Sequence, residues 1–97
     1  MRVIVAGKVY VDQEDRDRCV DAHQIIVEQA RKHPGCIDVA ISADPTEAGR
    51  VNIFEHFESN EALDHWRSVA PSPSASFDIK DVQVFKHVIA SSGPPFD

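Results

Sequence analysis

The sequence has too few cysteines to be held together by them. Cys19 and Cys36 are the only two, too few for a disulfide framework and too far apart for the Cys-x-x-Cys of a zinc or thioredoxin-type site. Both read as free, mostly buried thiols. Basic residues are also short: ten Lys and Arg stand against sixteen Asp and Glu, for a net charge of −6, and they form no run. That balance excludes nucleic acid and anionic membrane as partners, since both recruit clustered cations. No stretch approaches the ~20 apolar residues of a membrane span. The opening "MRVIVAGKVYVDQ" alternates, carries Lys8 and reaches Asp12 too early for a signal peptide, so the cytoplasm is the expected compartment. The four glycines are too dispersed for a phosphate cradle. The five histidines show neither His-x-His nor His-Glu-x-x-His spacing, so no metal site is expected. Cys36 follows Pro34-Gly35 and opens a strand, not a helix, so nothing there would activate a thiol nucleophile.

What is present is the material of one small domain over residues 1–97. Val3, Val5, Gly7, Val9 and Val11 alternate with Ile4, Ala6, Lys8 and Tyr10, which predicts a strand covered on both faces. From Asp12 to His33 the period changes: Cys19, Ala22, His23, Ile26 and Ala30 fall on one helical stripe. Acidic residues open this helix, basic ones close it, and Pro34-Gly35 ends it. In "CIDVAIS", Ile37, Val39 and Ile41 alternate as a second strand. "ADPTEAGR" has the chemistry of a hairpin turn, and "VNIFEHFE" is the third strand. Ser59 is a natural N-cap for "NEALDHWRSVA", "PSPSAS" reads as an exposed loop, and "DVQVFKHVIA" is the fourth strand. The tail 91–97 is expected to be flexible or draped over a neighbour. The order β-α-β-β-α-β is the ferredoxin-like α+β pattern: an antiparallel sheet with two helices on one face. Its other face is apolar, which predicts a homodimer with sheets packed face to face.

Two segments, "ARKHPGCIDVAISAD" and "GRVNIFEHFESNEALDHWRS", together resemble the antibiotic biosynthesis monooxygenase family, which includes the quinol monooxygenases. The resemblance covers essentially the whole chain. It implies a dimeric α+β barrel and a cofactor-independent monooxygenase acting with O2 on a small aromatic or quinol-type substrate. Glu55 and Phe57 match the family's Glu-x-aromatic motif on the third strand. Nine residues beyond that aromatic, where many members carry a histidine, this chain has Trp66, with His65 one place earlier. Where some oxygenase members carry an asparagine it has Ile53, and Asn52 belongs to the opposite strand face. A related branch that degrades haem uses an asparagine on the first strand; none is present there, which disfavours that activity.

Such an oxygenase needs a dry apolar cavity, a group to take a proton and donors to hold the anion. The candidate base is His65, because an unperturbed imidazole titrates near neutrality. Trp66 would stack on a flat ring and donate its indole N–H. Val51, Ile53 and Phe57 would form the floor, Phe77 would close the loop side, and His23 would point into the same cavity. Against this stand plainer roles. Trp66 lies at core spacing with Ala62, Leu63, Val69 and Ala70, and His65 borders that stripe. His56 reads as a dimer-face or surface residue, and His33 and His87 as positions without partners. Glu55, pointing inward, needs a donor from Arg67 or the backbone. A non-catalytic dimeric module binding a small molecule in the same cavity is the alternative, and a dimer with no cavity function is a third.

Overall fold

A computed structural model describes residues 1–96. The predicted tail thus falls inside it except for Asp97, which lies outside the described residues. The elements are β1 (Val3–Tyr10), α1 (Arg16–Ala22), α2 (Gln24–Ala30), β2 (Cys36–Ala43), β3 (Arg50–Phe57), α3 (Asn60–Val69) and β4 (Asp81–Val88). The four strands form one antiparallel sheet in the order β2-β3-β1-β4, as the ferredoxin-like reading requires. Register decides the faces. Val3 lies opposite Phe57, Val5 opposite Glu55 and Val9 opposite Val51, so these side chains share the helix-facing side. Ile4, Ala6, Phe54 and His56 occupy the other side.

The core forms where α2 and α3 meet the middle of the sheet. Val3, Val5, Ala30, Val39, Phe57, Leu63 and Trp66 make one buried cluster, with Ile26, Val27 and Ala62 packed against it. Ser59 starts α3 as expected, its hydroxyl accepting the Ala62 N–H at 3.1 Å. Gly35 lets the α2–β2 turn pass beneath that helix. Its φ is +85°, and any Cβ there would sit 2.6 Å from the Ala62 Cβ. At the hairpin, the Asp44 carboxylate accepts from the Asn52 amide, the Thr46 hydroxyl and the backbone N–H groups of Thr46 and Glu47. Those bonds, led by the one from Asn52, hold its acidity well above that of an ordinary carboxylate.

Three expectations need correction. The helical stretch from Asp12 to His33 is not one helix. It begins at Arg16 and breaks at His23. There the imidazole Nδ1 lies 2.7 Å from the Cys19 carbonyl, the acceptor that the His23 N–H would use in a continuous helix. That N–H bonds to the Val20 carbonyl instead, at 3.1 Å, which tightens one turn. Secondly, β2 carries a bulge between Cys36 and Asp38. The extra residue puts Ile37 out of phase with Val39 and Ile41, leaving it 43 % exposed. Thirdly, the helices cover only part of β4: Val84 packs against the core and Lys86 donates to the Asn60 amide oxygen of α3, but the rest is bare. Val82 and Val88 on its helix side and Phe85 on its other side all stand exposed. No helix among the described residues is long and apolar enough to cross a membrane.

Candidate functional site

The seam between β3 and α3 is closed. Phe57 and Leu63 are wholly buried, Trp66 is 5 % exposed and Val51 1 %. Of the side chains predicted to form a cavity floor, Phe57 fills this seam itself, while Val51 is buried at the far end of β3 opposite Val9 and Ile53 is half-buried between them. Trp66 sits in the central cluster. His65, one residue earlier and so turned about 100° around the helix, is exposed. It also has a partner: its Nδ1 lies 2.9 Å from Nε2 of His33. The His33 ring in turn lies against Trp66, with centroids 5.5 Å apart. His33 was expected to have no partner. The turn that Gly35 permits folds it onto α3, a proximity between residues far apart in the chain.

Glu55 faces the helices between Val5 and Val39. No described donor hydrogen-bonds its carboxylate. Burial pushes its pKa up, and the charge of Arg67 pulls it part of the way back. His56, its neighbour on the outer face, is half-buried edge-on to Phe54.

An open cleft of ≈ 400 Å³ lies elsewhere, between the α1–α2 break and the connection from α3 to β4. Cys19 and His23 line it from the helices; Ser72, Pro73, Phe77 and Ile79 line it from the connection. Two of the predicted pocket residues, His23 and Phe77, therefore share a cavity. The predicted base and stacking residue, His65 and Trp66, are not on its wall, nor are Val51, Ile53 and Phe57. The helix break builds this cleft. With the turn tightened at His23, the Ala22 carbonyl is available to the connection, and the Ser74 N–H takes it at 3.1 Å. Further along, the Arg18 guanidinium lies 5.6 Å from the centre of the Phe77 ring, holding that aromatic against the helix.

The chemistry of the cleft follows from His23. A carbonyl can only accept, so the contact with Cys19 O requires the proton on Nδ1 and leaves the lone pair of the neutral ring on Nε2. The ring is thus a base held in one tautomer. Cys19 beneath it is buried, and burial first, with the Asp15 charge second, pushes its thiol pKa up. It is a wall and not a nucleophile. A second cleft, of ≈ 360 Å³, runs between Val20, Gln24, Val27 and Arg31 and the edge strand β2, with no histidine on its wall. No group of three or more metal-ligating side chains is assembled among the described residues. The cleft walls that sequence reasoning missed, Cys19, Pro73 and Ile79, had one signal: eleven residues separate α3 from β4, long for a connector.

Comparison with known proteins accords with this architecture. The sequence model of the antibiotic biosynthesis monooxygenase family matches residues 2–71. A curated relative, an uncharacterised protein of Synechocystis sp., is 30% identical over 63 residues, covering 65% of this chain and 43% of that protein. The match thus spans less than half of the relative's length. Among solved structures, a candidate antibiotic biosynthesis monooxygenase from Chloroflexus aurantiacus superposes with a TM-score of 0.68 at 20% identity, over 97% of this chain and 98% of that one. One from Deinococcus radiodurans gives 0.70 at 14% identity, over the whole of both chains. A protein of Pseudomonas aeruginosa gives 0.71 at 10% identity, over 93% and 94%. At such identities these likenesses speak for the fold.

Proposed function

The chain belongs to the antibiotic biosynthesis monooxygenase family, and from that premise we propose that it oxidises a small aromatic or quinol-type molecule with O2, without a bound cofactor. The observation that carries this reading is a cleft lined by one imidazole of fixed tautomer, His23, and one aromatic ring, Phe77. The substrate's hydroxyl gives its proton to His23 Nε2. The resulting anion is electron-rich enough to reduce O2 itself, so the substrate is its own reductant. One oxygen atom enters the product, and the other leaves as water with the two hydrogens that the substrate loses. Pro73, Phe77 and Ile79 give the cleft an apolar wall, which limits the water competing for the anion.

Oxygen uptake with a panel of hydroquinones tests this. His23→Ala is expected to lower kcat/KM by about 10²–10⁴-fold, the usual contribution of a general base. His65→Ala is expected to leave it nearly unchanged. The reverse pattern would return the base to α3, where family position suggests it. No uptake with any quinol would remove the oxidase chemistry.

A second reading, a binding module without turnover, has an observation in its favour. The position where many members carry a histidine holds Trp66, buried in the core, and Ile53 stands where some carry an asparagine. Thermal stabilisation by a quinol with a silent oxygen electrode would select it. We also propose that the working form is a homodimer joined through the sheet. Phe85 leaves the face of β4 opposite the helices apolar and exposed, a surface that a second copy packed on that face would cover. A monomeric mass by light scattering at micromolar concentration would exclude this.

A further inference from the structure

The break between α1 and α2 has no cause in the backbone sequence. No glycine or proline occurs from Arg16 to Ala30, and Cys19, Ala22, Ile26 and Ala30 keep the spacing of one uninterrupted apolar stripe. Two contacts from outside the helical ladder hold the break. The His23 imidazole lies on the Cys19 carbonyl at 2.7 Å, a side chain inserted where a helical N–H belongs. The Ser74 N–H, from the connection between α3 and β4, takes the Ala22 carbonyl at 3.1 Å. In a continuous helix those two carbonyls would accept from the N–H groups of His23 and Ile26. The bonds that would join α1 to α2 are thus the ones these contacts displace.

We propose that the helix break and the connection form one two-state gate over the cleft. In the closed state, the one described above, the connection is down, the ring lies on Cys19 and the helix is broken. In the open state the His23 and Ile26 N–H groups return to the Cys19 and Ala22 carbonyls, the ring swings off, and Ser74 is released. Only the contact of Arg18 with Phe77 then holds the middle of the connection. Its far end stays fixed, because the Lys80 N–H bonds to the Tyr10 carbonyl. Backbone bonds lost at the connection are remade within the helix, which keeps the two states close in free energy. The gate deepens the oxidation reading and rests on it for the use of the cleft. The contact that fixes the tautomer of His23 exists only while the connection is down, so the base is set and the apolar wall brought up in one event.

The test reads access and not turnover, so either reading can fail without the other. Cys19 lines the cleft and is 2 % exposed, so alkylation of its thiol by a maleimide reports the open state. Cys36 packs against the core cluster away from the cleft and is the internal reference, the two thiols being told apart by peptide mass. Ser74→Pro removes the N–H that takes the Ala22 carbonyl, on an exposed connection that already carries Pro71 and Pro73. It is expected to speed alkylation of Cys19 severalfold and to raise the helical circular dichroism, because the freed carbonyl heals the helix. His23→Ala and His23→Gly both remove the ring and uncover the thiol, but only alanine favours the continuous helix. Cys19 is therefore expected to react about fivefold faster in the alanine variant, the ratio set by glycine's weaker helix propensity. An equal or faster reaction in the glycine variant would mean simple uncovering and overturn the gate. So would a faster Cys19 in Ser74→Pro with an unchanged helical signal, or Cys36 accelerating in step with Cys19, which marks global unfolding.

Discussion

Two regions of this molecule bring aromatic and imidazole side chains together, and they differ in what fills the space between them. In the β3–α3 seam, Phe57, Leu63 and Trp66 close on one another until almost nothing is exposed. In the cleft, His23 and Phe77 stand around open volume. The seam is built by two regular elements whose side chains recur at fixed spacing, so the strand period and the helix period interlock into a packed layer. The cleft has a broken helix on one side and an irregular connector on the other. That connector meets the helices through one backbone hydrogen bond, Ser74 to Ala22, and the stacking of Arg18 on Phe77. Regular elements fill space; an irregular strap pinned at few points leaves it.

The sharpest way to break this contrast is to remove an aromatic from each region. Phe57→Ala should lower stability by about 3–5 kcal/mol, the usual cost of deleting a buried phenylalanine, measured by urea unfolding. A loss below about 1 kcal/mol would mean that the seam can collapse and is not packed as described.

Glu55 offers a middle-sized test within the seam. Its pKa is raised on folding, with burial as the leading cause, so the ionised form is disfavoured in the folded state. For an acid, that cost is absent below the unfolded pKa, near 4, where the group is protonated in both states. It grows as the pH rises and is complete above the folded value. Glu55→Gln removes the charge. Its thermal midpoint should therefore exceed that of the wild type at pH 7, and the gain should vanish by about pH 4. A variant less stable than wild type at pH 7 would mean that the carboxylate has a structural partner and is not merely tolerated.

The smallest expected effect on stability lies in the cleft. Phe77→Ala should cost less than about 1.5 kcal/mol, because the ring is only half-buried, yet it should weaken binding of any aromatic ligand measurably. Equal losses for Phe77→Ala and Phe57→Ala would erase the distinction between the two regions.

Much of the fold was legible in the chain. The strand alternation in "VIVAGKVY", the Ser59 cap and the breaks at Pro34-Gly35 and Pro71 each act over a few residues, where period and propensity decide the outcome. The β3 sequence placed Glu55 and Phe57 on the helix side, and the register agrees. Illegible were the features in which a local rule is broken by one side chain or one inserted residue. The His23 imidazole diverts a helix turn by lying on its own chain's carbonyl, and the β2 bulge turns Ile37 outward; neither changes the apolar pattern that was read. The site was the least legible part, because which side chains wall a cavity is set by how distant segments meet. His65 and Trp66 are neighbours in the chain yet lie in different surroundings, whereas His23 and Phe77 are 54 positions apart and share a cavity.

The sequence by itself determined the four strands, the third helix, their order and the family. These follow from periodicities and caps that local physics enforces. Only the tertiary structure decided that the aromatic seam is shut, that a cleft opens beside His23, and that His33 meets His65 across the Gly35 turn. Each of those depends on contacts between distant segments, and distance in space, not order along the chain, sets which side chains pack, which leave a void and which share a proton.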